Sequence, residues 1–216
     1  MPHSTDLQAQ LDHITTQTRA LVQPDRLAVT DTAVRDLFAT GIEDHFLPIG
    51  ATAPTFTLPD AINGNLIHSS DLLGIGPLII KFFRGRWCPY CMTELEAWQT
   101  FYPAVRERGA LLVAISPQLP RQNDFTVQQH NLTFPILSDA GSRVADTFGI
   151  TYTVPEPLRV HYRSMLLNIP FINGDDSWRL SLPATFVISP ANKILFAEAH
   201  ADHRVRPNPV DVLAAL

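Results

Sequence analysis

Cysteine is nearly absent: 216 residues carry two, Cys88 and Cys91, three positions apart. A disulfide stabilises most when it closes a long loop, so a bridge this short excludes a stapled scaffold as the source of the fold's stability. Basic charge is equally sparse. The net charge is −5, and the basic residues gather only at Arg84/Arg86 and around Arg204–Arg206. A nucleic-acid partner would need a basic face, so none is expected. Long apolar runs are missing too, since Arg, Lys, Pro or Gly interrupts every stretch before the ~20 residues needed to span a bilayer. Met1-Pro2-His3-Ser4-Thr5-Asp6 lacks the basic and apolar regions of a secretory signal. These absences predict a cytoplasmic protein with no membrane partner. In a reducing compartment, paired cysteines are more often catalytic or metal-binding than structural.

What is present is an ordinary globular composition, 45% hydrophobic and 17% charged. Leu7, Leu11, Ile14, Leu21 and Val22 recur at roughly helical spacing, predicting a helix over residues 5–22 that Pro24 ends. A second segment with Val34, Leu37 and Phe38 stops at Gly41. Residues 1–47 therefore read as a helical N-terminal extension, packed on the main domain or on a partner subunit. The domain of residues 48–216 opens with two short segments about Asn63-Gly64, a hairpin signal. Leu78–Phe83 and Leu111–Ile115 are almost continuously apolar, as in strands covered on both faces. Cys91, Leu95, Trp98, Tyr102 and Val105 between them mark a helix, and Gly109 suits its end. Strand, helix, strand predicts a parallel α/β crossover. Helices are expected near 121–131, 142–149 and 209–216, and strands at Phe134–Leu137, Thr185–Ile188 and Ile194–Ala197. Residues 151–180 read as an irregular insertion.

The chemistry concentrates in Trp87-Cys88-Pro89-Tyr90-Cys91. The motif follows a buried strand and opens a helix, placing Cys88 at the N-cap and Pro89 at the first helical position, where its missing N–H costs nothing. Both sulfurs then meet free amides and the positive end of the helix dipole, a setting that lowers thiol pKa values to roughly 3.5–7.5. Arg84 and Arg86 add positive charge if they face the site. Residues i and i+3 share one helical face, within disulfide reach. Two other readings stay open: a pair that merely packs, and a zinc site completed by His200 and His203. Glu94 reads as a first-turn carboxylate compensating the dipole. Trp87 and Tyr90 would shield the disulfide, form a docking surface, or pack on the domain. Asp175, Asp176 and Trp178 would line the site or anchor a loop.

The chain resembles the thioredoxin superfamily, and within it the alkyl hydroperoxide reductase/thiol-specific antioxidant branch with its peroxiredoxin-like members. The resemblance rests on Ala53–Asp60, on Phe82–Cys91 with Glu94, and on Ile115-Ser116-Pro117. It continues through Phe134–Asp139, Asn173–Trp178 and Leu182–Ile188. It implies a thioredoxin-like α/β fold with a central mixed sheet flanked by helices. It also implies an antioxidant enzyme that reduces hydrogen peroxide or organic hydroperoxides through a Cys88/Cys91 dithiol–disulfide cycle. The reductant would be an external thiol such as a thioredoxin-like protein; no cofactor or metal is called for, and a homodimer is expected. A thioredoxin-like oxidoreductase acting on disulfides is the alternative, and a non-enzymatic or zinc-binding module a third.

Cys91 matches the peroxidatic cysteine by position, while Cys88 stands where that family has Thr and Arg84-Gly85 replaces its Pro. Pro183 occupies the place of the peroxidase Arg and instead matches the cis-proline of thioredoxins, a substrate-docking residue. By thioredoxin logic Cys88 attacks and Cys91 resolves; by peroxiredoxin logic the roles reverse. The expected site is therefore Cys88 and Cys91, supported by Pro183, Trp87, Arg84 and Arg86.

Overall fold

In the strand Leu78–Phe82 (β3) side chains alternate between two faces, and both faces are buried. Ile79 joins one apolar cluster with Phe83; Leu78, Ile80 and Phe82 join another. Lys81 shares the face of Ile79, inside the protein. β3 lies at the centre of a five-stranded sheet with β4 (Leu111–Ser116), β5 (Ile136–Ser138), β8 (Ala184–Ile188) and β9 (Ile194–Ala199), in the order β5-β4-β3-β8-β9. β3, β4 and β5 are parallel, and β8 is antiparallel to both neighbours. The sheet is thus mixed, and helices flank it as the thioredoxin-like fold requires.

The computed structural model describes residues 7–216. The signal-peptide reading of residues 1–6, and the start of the first helix at residue 5, lie outside the described residues. α1 (Leu7–Leu21) is followed by Pro24, which also opens α2 (Pro24–Ala39) at its first turn. Gly41, at φ 72°, turns the chain out of α2. Leu7 and Leu11 pack into the same core cluster as Leu95 and Trp98 of α4 (Pro89–Glu107). The hairpin appears as β1 (Thr57–Pro59) and β2 (Leu66–His68), followed by α3 (Ser69–Leu73). α5 (Pro120–His130) and α6 (Arg143–Thr147) follow β4 and β5 in the chain.

The segment expected to be irregular is not. Residues 151–180 contain β6 (Thr151–Thr153), α7 (Glu156–Ser164), α8 (Ile169–Asn173) and the start of β7 (Arg179–Ser181), with β6 and β7 paired antiparallel. Proline and polar groups obscured this in the sequence, but Leu158 and Tyr162 of α7 sit at i and i+4 and bury together with Trp178 and Leu180. α7 packs beside α2. A short helix, α9 (Pro209–Ala214), closes the chain against α4. Among the described residues no helix is long and apolar enough to cross a membrane.

Candidate active site

The β3–α4 connection builds the site. Gly85 adopts φ 149°, and a Cβ there would lie 2.5 Å from Trp87 Nε1, so glycine lets the indole fold back over the loop. Cys88 is the N-cap of α4 with extended backbone, and the amides of Cys91 and Met92 donate to its carbonyl at 3.0 and 3.1 Å. Both cysteines are free thiols and both are buried, Cys88 2% exposed and Cys91 0%.

Two charged clusters flank them. Beneath Cys91, α4 presents Glu94 on the same face as Leu95 and Trp98. Glu94 Oε1 pairs with Lys81 Nζ at 2.5 Å, and Oε2 accepts from Arg206 Nε at 2.5 Å. All three side chains are buried, and Lys81 also donates to Thr185 Oγ1 on β8. Arg206 Nη2 reaches Cys91 Sγ at 3.6 Å, while its Nη1 is held by the carbonyls of His203 and Val205. Burial opposes ionisation of Glu94, but Lys81 and Arg206 outweigh it and hold the carboxyl below its usual range. Beside Cys88 stands Arg84, 2% exposed, donating to Tyr162 Oη at 2.5 Å and lying over the Trp87 ring at 4.7 Å.

The thiols respond unequally. Burial pushes Cys88 up, yet the hydrogen bond from the Cys91 thiol and the charges of Arg84 and Arg206 bring it down to about 6. Burial pushes Cys91 well above its ordinary value, helped by its donation to Cys88 and by the Cys88 charge; Arg206 and Arg84 offset this only in part. The two thiols titrate as a coupled pair, and the lowered value falls on Cys88, the sulfur that faces the pocket.

Cys88 also faces open space. With Trp87, Pro89 and Tyr90 it lines a pocket of about 220 Å³, walled on the other side by α1, α2 and α7. Thr15 of α1 bonds Tyr90 Oη at 3.1 Å, and Arg204 bonds Asp31 of α2 at 2.7 Å, closing the N-terminal helices over the motif. His203 lines the pocket too, edge-on to Tyr90 at 5.3 Å; burial and the charges of Arg84, Arg206 and Arg204 hold it well below its usual pKa, hence neutral.

Among the residues expected at the site, Cys88, Cys91, Trp87 and Arg84 come together. Arg86 does not: its exposed side chain turns away to bond Gln122 at 2.8 Å and stack on Phe125. Pro183 is buried ahead of β8, but there is no cis peptide bond among the described residues, so the match to a cis-proline fails at that bond, and the pocket wall does not include it. Glu94 is a buried ion-pair partner rather than a dipole-compensating surface group. His200 bonds Glu198 at 2.7 Å, and among the described residues no three His, Cys, Asp or Glu converge as a metal site would require. Asp175 caps a turn at Ser177, and Trp178 stacks under Arg159 and Arg163, away from the cysteines. Lys81, Arg206 and Tyr162 have no role in the sequence reading, and His203, weighed there as a zinc ligand, lines the pocket instead. Lys81 carried a signal, a charge inside an apolar strand; so did Glu94, a carboxylate on the apolar face of a helix.

Comparison with known proteins agrees with this architecture. The chain is similar to the crystal structure of peroxidoxin BcpB from Mycobacterium tuberculosis (TM-score 0.60, 24% identity, 78% of this chain and 96% of that one). It is also similar to Mycobacterium tuberculosis AhpC (TM-score 0.58, 21% identity, 79% and 91%). At these identities the likeness is one of fold. In sequence it is 31% identical over 108 residues to the thiol-disulfide oxidoreductase ResA of Bacillus anthracis, covering 48% of this chain and 59% of that protein. The ResA of Halalkalibacterium halodurans is 32% identical over 105 residues, covering 47% and 56%. The chain therefore spans less than two thirds of the length of these relatives. The sequence pattern that defines the AhpC/TSA family matches residues 49–197, from the end of the helical extension to β9. With that match, and with a thioredoxin-like sheet presenting a dithiol at a helix N-terminus, the chain belongs to the AhpC/TSA family.

Proposed function

We propose that this protein is a thiol peroxidase that reduces hydrogen peroxide or small organic hydroperoxides through a Cys88–Cys91 dithiol–disulfide cycle, with Cys88 attacking. The observation that carries the reading is the placement of the ionised thiol at the floor of a pocket of about 220 Å³ roofed by α1, α2 and α7. A small hydroperoxide fits such a space, whereas a folded protein disulfide laid flat across the motif meets the N-terminal helices.

The Cys88 thiolate attacks one peroxide oxygen; an S–O bond forms, the O–O bond breaks, and the departing alkoxide takes a proton to leave as alcohol or water. The Cys91 thiol then attacks the Cys88 sulfenic acid, the S–S bond forms, and the hydroxyl leaves with the thiol proton as water. Arg206, at 3.6 Å from Cys91 Sγ, favours the transient Cys91 thiolate in this step and again when the disulfide is reopened. Two equivalents of a small external thiol, in a reducing compartment such as the cytoplasm, restore the dithiol and are themselves oxidised to a disulfide.

A second reading, thiol–disulfide exchange on small disulfides, is favoured by the same low Cys88 pKa and by the likeness to the thiol-disulfide oxidoreductase ResA. One equivalent of cumene hydroperoxide or hydrogen peroxide added to the reduced protein separates them. Consumption of the peroxide with loss of two thiols supports the peroxidase. Peroxide loss at the uncatalysed rate, together with rapid exchange with a small disulfide, supports the second reading and overturns the first.

A further inference from the structure

Arg84 is a buried cation without a carboxylate. Arg206 has Glu94 and Arg204 has Asp202 and Asp31, but among the described residues no acidic side chain lies within ion-pair distance of Arg84. Its guanidinium has the phenols of Tyr162 and Tyr152 and the Trp87 ring for company, and its Nε has no hydrogen-bond partner. The phenols of half-buried Tyr152 and buried Tyr162 stay protonated, Tyr162 pushed up to about 12 by burial against the pull of Arg84. Leaving a buried charge in this condition is costly. In the reduced protein the nearby negative charge is the Cys88 thiolate.

Arg84 also forms part of the wall of a second pocket, of about 200 Å³, between α2 and α7. Its apolar lining is Ala33, Val34, Leu37, Pro155 and Leu158, and besides Arg84 and the tyrosines its polar lining includes His203 and the hydroxyls of Thr30, Thr40 and Thr153. Asp36 stands at the mouth, exposed to water. Apolar walls with one buried, unpaired cation describe a receptor for an apolar body carrying one negative head.

We propose that this second pocket binds an amphipathic monocarboxylate, its carboxylate on Arg84 and its chain between α2 and α7, and that the disulfide form binds it more tightly than the dithiol form. The redox preference rests on the Cys88–Cys91 cycle proposed above; the site itself does not. When the pair loses two electrons and becomes a disulfide, the Cys88 charge disappears and Arg84 is left without its counter-charge, so an incoming carboxylate gains most in that state. Linkage makes the effect reciprocal: the carboxylate shifts the dithiol–disulfide equilibrium toward disulfide by the ratio of its two affinities.

Octanoate and octanol, equal in chain and different in charge, are the probes. Calorimetric titration of the reduced and the oxidised protein is expected to show octanoate binding the oxidised form about tenfold more tightly, with octanol weaker and indifferent to redox state. Equilibration with reduced and oxidised glutathione should then move toward the protein disulfide by the same factor when octanoate is present. Ala33→Phe, which fills the pocket away from the cysteines, should lose octanoate binding and keep its ligand-free glutathione equilibrium. Arg84→Met should bind octanoate no better than octanol. Equal binding of octanol and octanoate, or unchanged octanoate binding by Ala33→Phe, overturns the site. Equal affinity of the two redox forms overturns the coupling. Peroxide turnover without octanoate is measured in parallel, and its failure with binding intact counts against the peroxidase reading alone.

Discussion

Cys88 and Cys91 lie one helical turn apart but in different surroundings. Cys88 looks outward into a pocket, with Arg84 beside it and no carboxylate near that arginine. Cys91 looks inward, onto an arginine whose charge is already balanced by Glu94 and shared with Lys81. The comparison shows how one fold divides the labour of a dithiol. The hydrogen bond from Cys91 and the uncompensated Arg84 stabilise a thiolate on the pocket-facing sulfur; burial and the Cys88 charge keep Cys91 protonated until its neighbour is oxidised, and the balanced Arg206 offsets them only in part.

The largest effect expected separates the two sulfurs by deletion. Cys88→Ser should drop peroxide consumption to background, whereas Cys91→Ser should still consume one equivalent and hold a sulfenic acid on Cys88 that a dimedone probe captures by mass spectrometry. Next comes the inner cluster. Glu94→Gln leaves Lys81 and Arg206 buried without their shared anion and should destabilise the fold by about 3–5 kcal/mol in chemical denaturation. The outer cluster should respond in acidity rather than stability: Arg84→Met should raise the Cys88 pKa by about 1–3 units, read from thiolate absorbance against pH. The smallest change is Tyr162→Phe, which removes the Arg84 hydrogen bond and should cost about 1.5–3 kcal/mol while leaving Cys91 unreactive. If Arg84→Met leaves the Cys88 titration unmoved and a change at Glu94 shifts it instead, the division between the two clusters is wrong.

Much of this was legible in the sequence because it is local. The apolar runs around β3 and β4, the helical stripe from Cys91 to Val105 and the N-cap placement of Cys88 each depend on neighbours a few residues away. The pairing of charges does not. Lys81 and Glu94 stand out individually, but their meeting requires the strand face and the helix face to be brought together, and Arg206 arrives from 112 residues beyond Glu94. Tyr162 was hidden differently: α7 is short and its surroundings are rich in proline and charge, so the Leu158–Tyr162 spacing went unread. Arg84 and Arg86 looked equivalent in sequence. The positive φ of Gly85 lies between them, and only Arg84 ends beside the thiolate.

The most direct test of the account is the pH dependence of alkylation in the reduced wild-type protein, with the labelled cysteine identified by peptide mapping. Because the Cys88 pKa is lowered to about 6, its iodoacetamide rate should rise from low pH, reach half its maximum near pH 6 and be flat by neutrality, with the label on Cys88. Label on Cys91, or a midpoint near the free-thiol value of about 8.5, would contradict the assignment of Cys88 as the attacking thiolate.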